Sequence, residues 1–173
     1  MADSLKTAYL ALGSNLGDRA ALIEQAVGLL TQAGVRVRRR SALYETEPVG
    51  MSGGRWFLNC VLEVETERMP LGLLHLLQRI ERQLGRRPAG VLRPEARRMD
   101  IDILIYGEQV TRSPELTLPH PRLHERRFAL EPLRELAPEW RHPVTRQTAG
   151  EMLAALPYRG AVRRLPLPSG PRG

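Results

Sequence analysis

Residues 99–106 read Met99-Asp100-Ile101-Asp102-Ile103-Leu104-Ile105-Tyr106, an apolar strand interrupted twice by aspartate. Side chains alternate across a strand, so Met99, Ile101, Ile103 and Ile105 are expected on one face and Asp100 and Asp102 on the other. Upstream lies a loop, residues 85–98, carrying Arg86, Arg87, Arg93, Arg97 and Arg98. Before it, Pro70 opens a helix to about Leu84 whose apolar face is Leu73, Leu77, Ile80 and Leu84. Trp56 to Thr66 reads as a strand, Glu45 to Arg55 as a loop, and Val35 to Tyr44 as another strand. Thr7 to Leu12 is a first buried strand, and Asp18 is placed to cap a helix from Arg19 to Ala33.

That order, β-α-β-β-α-β, predicts an α+β fold: a ferredoxin-like sandwich whose helices pack on one face of a mainly antiparallel sheet. Extra C-terminal helices are expected near His124 to Leu136 and Thr148 to Leu156, after weak strand signals at Val110 and Leu116 to Leu118. Residues 1–164 form a single expected domain, and the Pro/Gly-rich residues 165–173 are expected to fray.

Composition narrows the function classes. The chain has 173 residues, 42% hydrophobic and 26% charged, which suits one globular domain and argues against wholesale disorder. No stretch approaches the roughly 18 apolar residues of a membrane span. The N-terminus does not resemble a secretory signal, and Cys60 is the only cysteine, so the cytoplasm is the expected location. The net charge is +7 and nearly all the cations are arginine, whose planar fork suits phosphate. Codon usage in a GC-rich genome would give the same surplus, so charge alone allows an anionic ligand without requiring one.

Asp100 and Asp102 stand about 6–7 Å apart at their Cα atoms, two strand rises of roughly 3.3 Å. Two adjacent carboxylates need a counter-charge. A divalent cation supplies it, and oxygen-only ligands favour magnesium, which shares itself with water and phosphates. Nearby arginines could answer the pair instead, and the residues alone leave both readings open. An aspartyl nucleophile is disfavoured, because it should stand at a strand exit. Gln78 and Glu81 share a helix face, and His120 lies between two prolines in Leu118-Pro119-His120-Pro121-Arg122. Phe57 and Phe128 could sandwich a flat heterocycle whose edge Asn59 reads.

Taken in order, several segments resemble the 6-hydroxymethyl-7,8-dihydropterin pyrophosphokinases of folate biosynthesis over residues 8–150. They are Ala11-Leu12-Gly13-Ser14-Asn15-Leu16-Gly17-Asp18, Tyr44-Glu45-Thr46-Glu47-Pro48-Val49-Gly50, Phe57-Leu58-Asn59, Gln78-Arg79-Ile80-Glu81, Gly85-Arg86, Arg97 with Asp100-Ile101-Asp102-Ile103-Leu104, and Leu118 to Arg122 with Arg126. The resemblance implies transfer of pyrophosphate from ATP to the pterin hydroxymethyl oxygen, with two Mg²⁺ ions on Asp100 and Asp102. It implies ATP contacts at Gln78, Glu81, Arg86, Arg97, Ile103, Thr117, His120 and Arg126, with Arg86 and Arg97 also catalytic. The pterin would meet Thr46, Glu47, Val49, Phe57, Asn59 and Phe128. A monomer with no nucleic-acid or membrane partner is expected. One departure is plain: the family's Trp-Gly-Pro-Arg stretch is here Arg93-Pro94-Glu95-Ala96-Arg97. The competing class, an RNA-binding sheet, would display an Arg-Gly-Phe-Gly-Phe-like strand, and no strand here does.

Overall fold

In the computed structural model, residues 4–15, 17–47, 55–85, 99–157 and 160–166 are described. Their elements are β1 (Lys6–Ser14), α1 (Arg19–Gln32), β2 (Arg36–Arg40), β3 (Tyr44–Thr46), β4 (Phe57–Thr66), α2 (Pro70–Gln83), β5 (Asp100–Tyr106), β6 (Thr111–Arg112), β7 (Thr117–Leu118), α3 (Arg127–Leu136), α4 (Ala149–Ala155) and β8 (Val162–Arg164). The Asp18 carboxylate accepts the Ala21 N–H at 3.1 Å and so caps α1, while Pro70 sits in the first turn of α2. The main sheet runs β5-β1-β4-β3-β8, with β2 also on β4. β1 is antiparallel to both β4 and β5, which gives the interleaved strand order of a ferredoxin-like sandwich.

Both faces of the sheet are covered. Ala8, Leu10 and Leu12 of β1 pack with Leu58, Cys60, Leu62 and Val64 of β4 against Leu22, Leu30, Leu73, Leu77 and Ile80 of α1 and α2. On the opposite face, Ala11 and Val61 meet Leu130 and Leu133 of α3 and Met152 of α4. The C-terminal helices therefore cover the face that a two-layer sandwich would leave to solvent.

Three local features depart from simple alternation. The expected strand from Val35 to Tyr44 is split at Ser41, whose N–H bonds Val61 O while its hydroxyl accepts the Val61 N–H, both at 2.9 Å. The chain then resumes pairing, so Tyr44–Thr46 is strand where a loop was expected from Glu45. In β5, Tyr9 pairs Ile105 and Leu10 pairs Ile103, leaving Leu104 as the extra residue of a bulge. Met99, Ile101 and Ile103 face α1 and α2 as expected, but Ile105 falls with Leu104 in the cluster under α3. The third is β8, which lay unrecognised beside the expected tail and pairs β3. Leu165 N–H extends that edge to Leu43 O at 2.8 Å, and residues 167–173 lie outside the described part.

Candidate active site

The sheet register builds the site. Arg164, Tyr44, Asn59, Gly13 and Asp100 are successive cross-strand partners on β8, β3, β4, β1 and β5. Directly opposed residues share a face, so this row lies on the α3/α4 side. Beside it run Val162, Thr46 and Phe57 on one flank and Val61, Ala11 and Asp102 on the other. A cavity of about 310 Å³ opens over the row, lined by Gly13, Thr46, Glu47, Phe57, Asn59, Asp100 and Asp102 from the sheet side. Arg126, Arg127 and Phe128 close it from α3 and its approach. Phe57 and Phe128 thus enter one cavity from opposite layers.

Gly13 is the bare floor. A methyl group built there would stand 2.7 Å from Asn59 Oδ1, closer than real side chains come. Asn59 and Thr46 are each only 5% exposed, and Asn59 Nδ2 donates to Thr46 Oγ1 at 2.7 Å. The amide is thereby fixed in orientation, with further N–H and carbonyl capacity for a ligand edge.

At the other end, Arg126 Nη1 donates to Asp102 Oδ2 at 2.9 Å while its guanidinium lies 5.6 Å from the centre of the Phe128 ring. An arginine does answer Asp102, and it comes from α3's approach. Asp100 and Asp102 nevertheless line the same cavity with oxygen donors only. Among the described residues no cluster of three or more His, Cys, Asp or Glu side chains forms a metal cage. Two carboxylates beside open volume fit a hard cation that completes its shell with water and phosphate.

The remaining expected contacts collect around β5, which is an edge strand. Glu81 is 3% exposed and its Oε2 accepts the Ile101 N–H at 3.0 Å. Gln78, one turn earlier on α2, is exposed. Ile103 turns its side chain into the core, so a ligand there would meet its backbone. Thr117 lies on β7, which packs on β5, and His120 N–H bonds the bulge carbonyl Leu104 O at 2.9 Å. None of Gln78, Glu81, Ile103, Thr117 or His120 lines the sheet-face cavity. His120 Nδ1 accepts the Arg122 N–H at 3.1 Å, so a neutral ring carries its proton on Nε2. Burial, then the Arg126 and Arg122 cations, push the His120 pKa down to about 4 against a smaller opposing pull from Asp100. Arg86, Arg97 and Val49 fall outside the described residues.

Sequence reasoning missed Gly13 as a floor, ending the first strand at Leu12 where β1 runs on to Ser14. It also missed Arg127, Ala161 and Val162, which line the cavity. Only the register reveals Gly13, and a three-residue strand in an Arg/Pro-rich tail has no periodicity to find.

A family model described as 7,8-dihydro-6-hydroxymethylpterin-pyrophosphokinase (HPPK) matches residues 9–138. The chain is 45% identical over 130 residues to a Bacillus subtilis 2-amino-4-hydroxy-6-hydroxymethyldihydropteridine pyrophosphokinase, covering 75% of this chain and 77% of that one. A Methylorubrum extorquens protein of the same name is 44% identical over 158 residues, 90% of this chain and 97% of that one. The Schizosaccharomyces pombe folic acid synthesis protein fol1 is 42% identical over 156 residues, 90% of this chain, which spans only 21% of that longer protein. The crystal structure of wild-type Plasmodium falciparum HPPK-DHPS with pteroate superposes with a TM-score of 0.69 at 16% identity, over 89% of this chain and 45% of that one. At that identity the likeness speaks for the fold alone. No helix among the described residues is long and apolar enough to cross a membrane.

Proposed function

Because the chain belongs to the 7,8-dihydro-6-hydroxymethylpterin-pyrophosphokinase family, we propose that it transfers the terminal pyrophosphate of ATP to the hydroxymethyl oxygen of 6-hydroxymethyl-7,8-dihydropterin, releasing AMP. The observation that carries this is the row Asn59–Gly13–Asp100. Its ends lie two strand spacings apart, about 10 Å at roughly 4.8 Å each. A bicyclic pterin laid over the glycine floor, its amide edge on Asn59 and Thr46, would bring its hydroxymethyl arm to Asp100. Phe57 and Phe128 would hold the ring faces, with Glu47 and Val49 beside the edge.

The nucleotide would approach along the β5 edge. Gln78, Glu81, the Ile103 backbone and Thr117 border its nucleoside end, and Arg86, Arg97, His120 and Arg126 would meet its phosphates. Two Mg²⁺ ions, when bound on Asp100 and Asp102, would supply positive charge to the phosphate oxygens. Arg126 then has reason to exchange Asp102 for a phosphate, since guanidinium and cation compete for the same carboxylate. The neutral His120 would donate through Nε2 without needing to change charge.

In the reaction the hydroxymethyl oxygen forms a bond to the β-phosphorus as the bond from that phosphorus to the α,β-bridging oxygen breaks. AMP departs with the electron pair, and the hydroxyl proton leaves for water, with Asp102 as candidate acceptor. This asks the protein for alignment and charge stabilisation rather than a covalent intermediate. One chain supplies both halves of the site, so activity is expected of a monomer.

The test is AMP formation from ATP and Mg²⁺, with and without 6-hydroxymethyl-7,8-dihydropterin. Pterin-dependent AMP is the expected result. ADP would mean γ-phosphoryl transfer, and no nucleotide turnover would overturn the reading.

A further inference from the structure

The region that the family model matches ends at residue 138, yet the cavity is closed by residues well beyond it. β3 is three residues long and carries Thr46, with Glu47 just after it. One of its edges rests on β4 and the other on β8, where Val162 pairs Thr46 directly. So short a strand, left as an edge, would have little to resist local opening.

β8 and the residue before it are anchored by several contacts. Glu47 N–H donates to Ala161 O at 3.0 Å, and Ala161 N–H donates back to Glu47 Oε2 at 3.1 Å. Arg163 pairs with Glu45, which also binds Arg19, and its guanidinium lies 5.8 Å from the centre of the Trp56 ring. Arg164 Nε reaches Glu135 Oε1 at 3.1 Å, the same carboxylate that accepts the Tyr44 hydroxyl and the Ala42 N–H. Gly160 turns into the strand at φ +87°, a conformation that favours glycine. Because Val162 and Thr46 are opposed, their side chains share the cavity face, and Ala161 and Val162 both line the cavity.

We propose that β8 is a wall of the pterin subsite, with Val162 contacting the ring and Ala161 acting as a positioning residue that holds Glu47. The assignment rests on the pterin reading above. It makes substrate affinity depend on a segment outside the family-matched region, while the phosphate half of the site along β5 stays independent of it.

The test compares full-length wild type with Val162→Phe and Ala161→Pro. Val162→Phe narrows the cavity without touching β3 backbone pairing. It should raise the pterin KM tenfold or more, with kcat and the ATP KM within twofold. Ala161→Pro deletes the N–H given to Glu47. It should speed amide hydrogen exchange of Glu47 at least fivefold and raise the pterin KM, again leaving the ATP KM alone. Val162→Ile should restore a pterin KM within threefold of wild type. A pterin KM within twofold of wild type in Val162→Phe overturns the wall, as does an equal rise in the ATP KM. Unchanged Glu47 exchange in Ala161→Pro overturns the positioning role. Failure of the functional reading would look different: wild type itself would form no pterin-dependent AMP, while Glu47 exchange would still report on the clamp.

Discussion

Replacing Gly13 by alanine tests the floor of the cavity with one methyl group. Gly13 lies in an ordinary strand conformation, so the backbone accepts alanine and the clash with Asn59 is the whole perturbation. The added Cβ would stand 2.7 Å from Asn59 Oδ1, whereas carbon-to-oxygen contacts settle at about 3.3 Å or more. The amide must retreat by roughly 0.6 Å from a position held by a 2.7 Å bond to Thr46. Both partners are buried, so loss of that bond costs about 1–3 kcal/mol. If the amide reads the pterin edge, the pterin KM should rise about 5- to 150-fold. Thermal unfolding should fall by about 2–4 °C per kcal/mol lost. Steady-state kinetics with pterin varied at saturating ATP, alongside a melting curve, reads both. Asn59→Ala removes the oxygen that the methyl strikes. In that background Gly13→Ala should therefore add no more than about 0.5 kcal/mol, so the two substitutions are strongly non-additive, as residues in contact are. A single variant with pterin KM within twofold of wild type, or full additivity in the double variant, would refute the reasoning.

Other outcomes can be set out together. Asp100→Ala and Asp102→Ala should each abolish AMP formation with the fold intact by circular dichroism, and a rate above a tenth of wild type in either would sink the metal assignment. Burial pushes the Cys60 thiol up to about 12, so it should resist maleimide in the native protein and react with one equivalent after denaturation. Native labelling at the rate of an exposed thiol would contradict its place in the core. The His120 ring should titrate near pH 4 by NMR in the unliganded protein. The unfolded chain takes up that proton below about 6.5 and the folded one only near 4, so this group lowers stability as pH falls through that window. A midpoint above 6 would remove the claim and its pH dependence together.

Much of this molecule was legible in its residues. The apolar patterns of α2, β4 and β5 are strong because α2 buries one face against the sheet and the two strands lie between covered layers, so pattern and packing report the same fact. Asp100 and Asp102 stood out because charge inside an apolar run is costly unless used. What escaped reading depends on partners distant in the chain. Ser41 breaks a strand by lending its hydroxyl to Val61, and nothing near Ser41 announces that. Leu104 bulges only relative to β1, and β8 exists only because β3 offers an edge. Gly13 has meaning only beside Asn59, 46 residues later in the chain. The helices over the second face were visible as helices, but which face they cover depends on where the chain returns after β7.

The alternation in β5 also bears on how the chain finds its fold. A slip of one residue against β1 would turn Asp100 and Asp102 into the apolar layer beneath α1 and α2, and would bring Ile101 and Ile103 out onto the cavity. Burying two unpaired carboxylates costs several kcal/mol each, far more than a misplaced strand could recover from its backbone bonds. The bulge at Leu104 absorbs the one-residue offset internally, so the acidic half and the core half of β5 each keep their proper side. The two acids that would serve the reaction thus proofread strand pairing, and a variant that neutralised both would lose a safeguard against misassembly along with its chemistry.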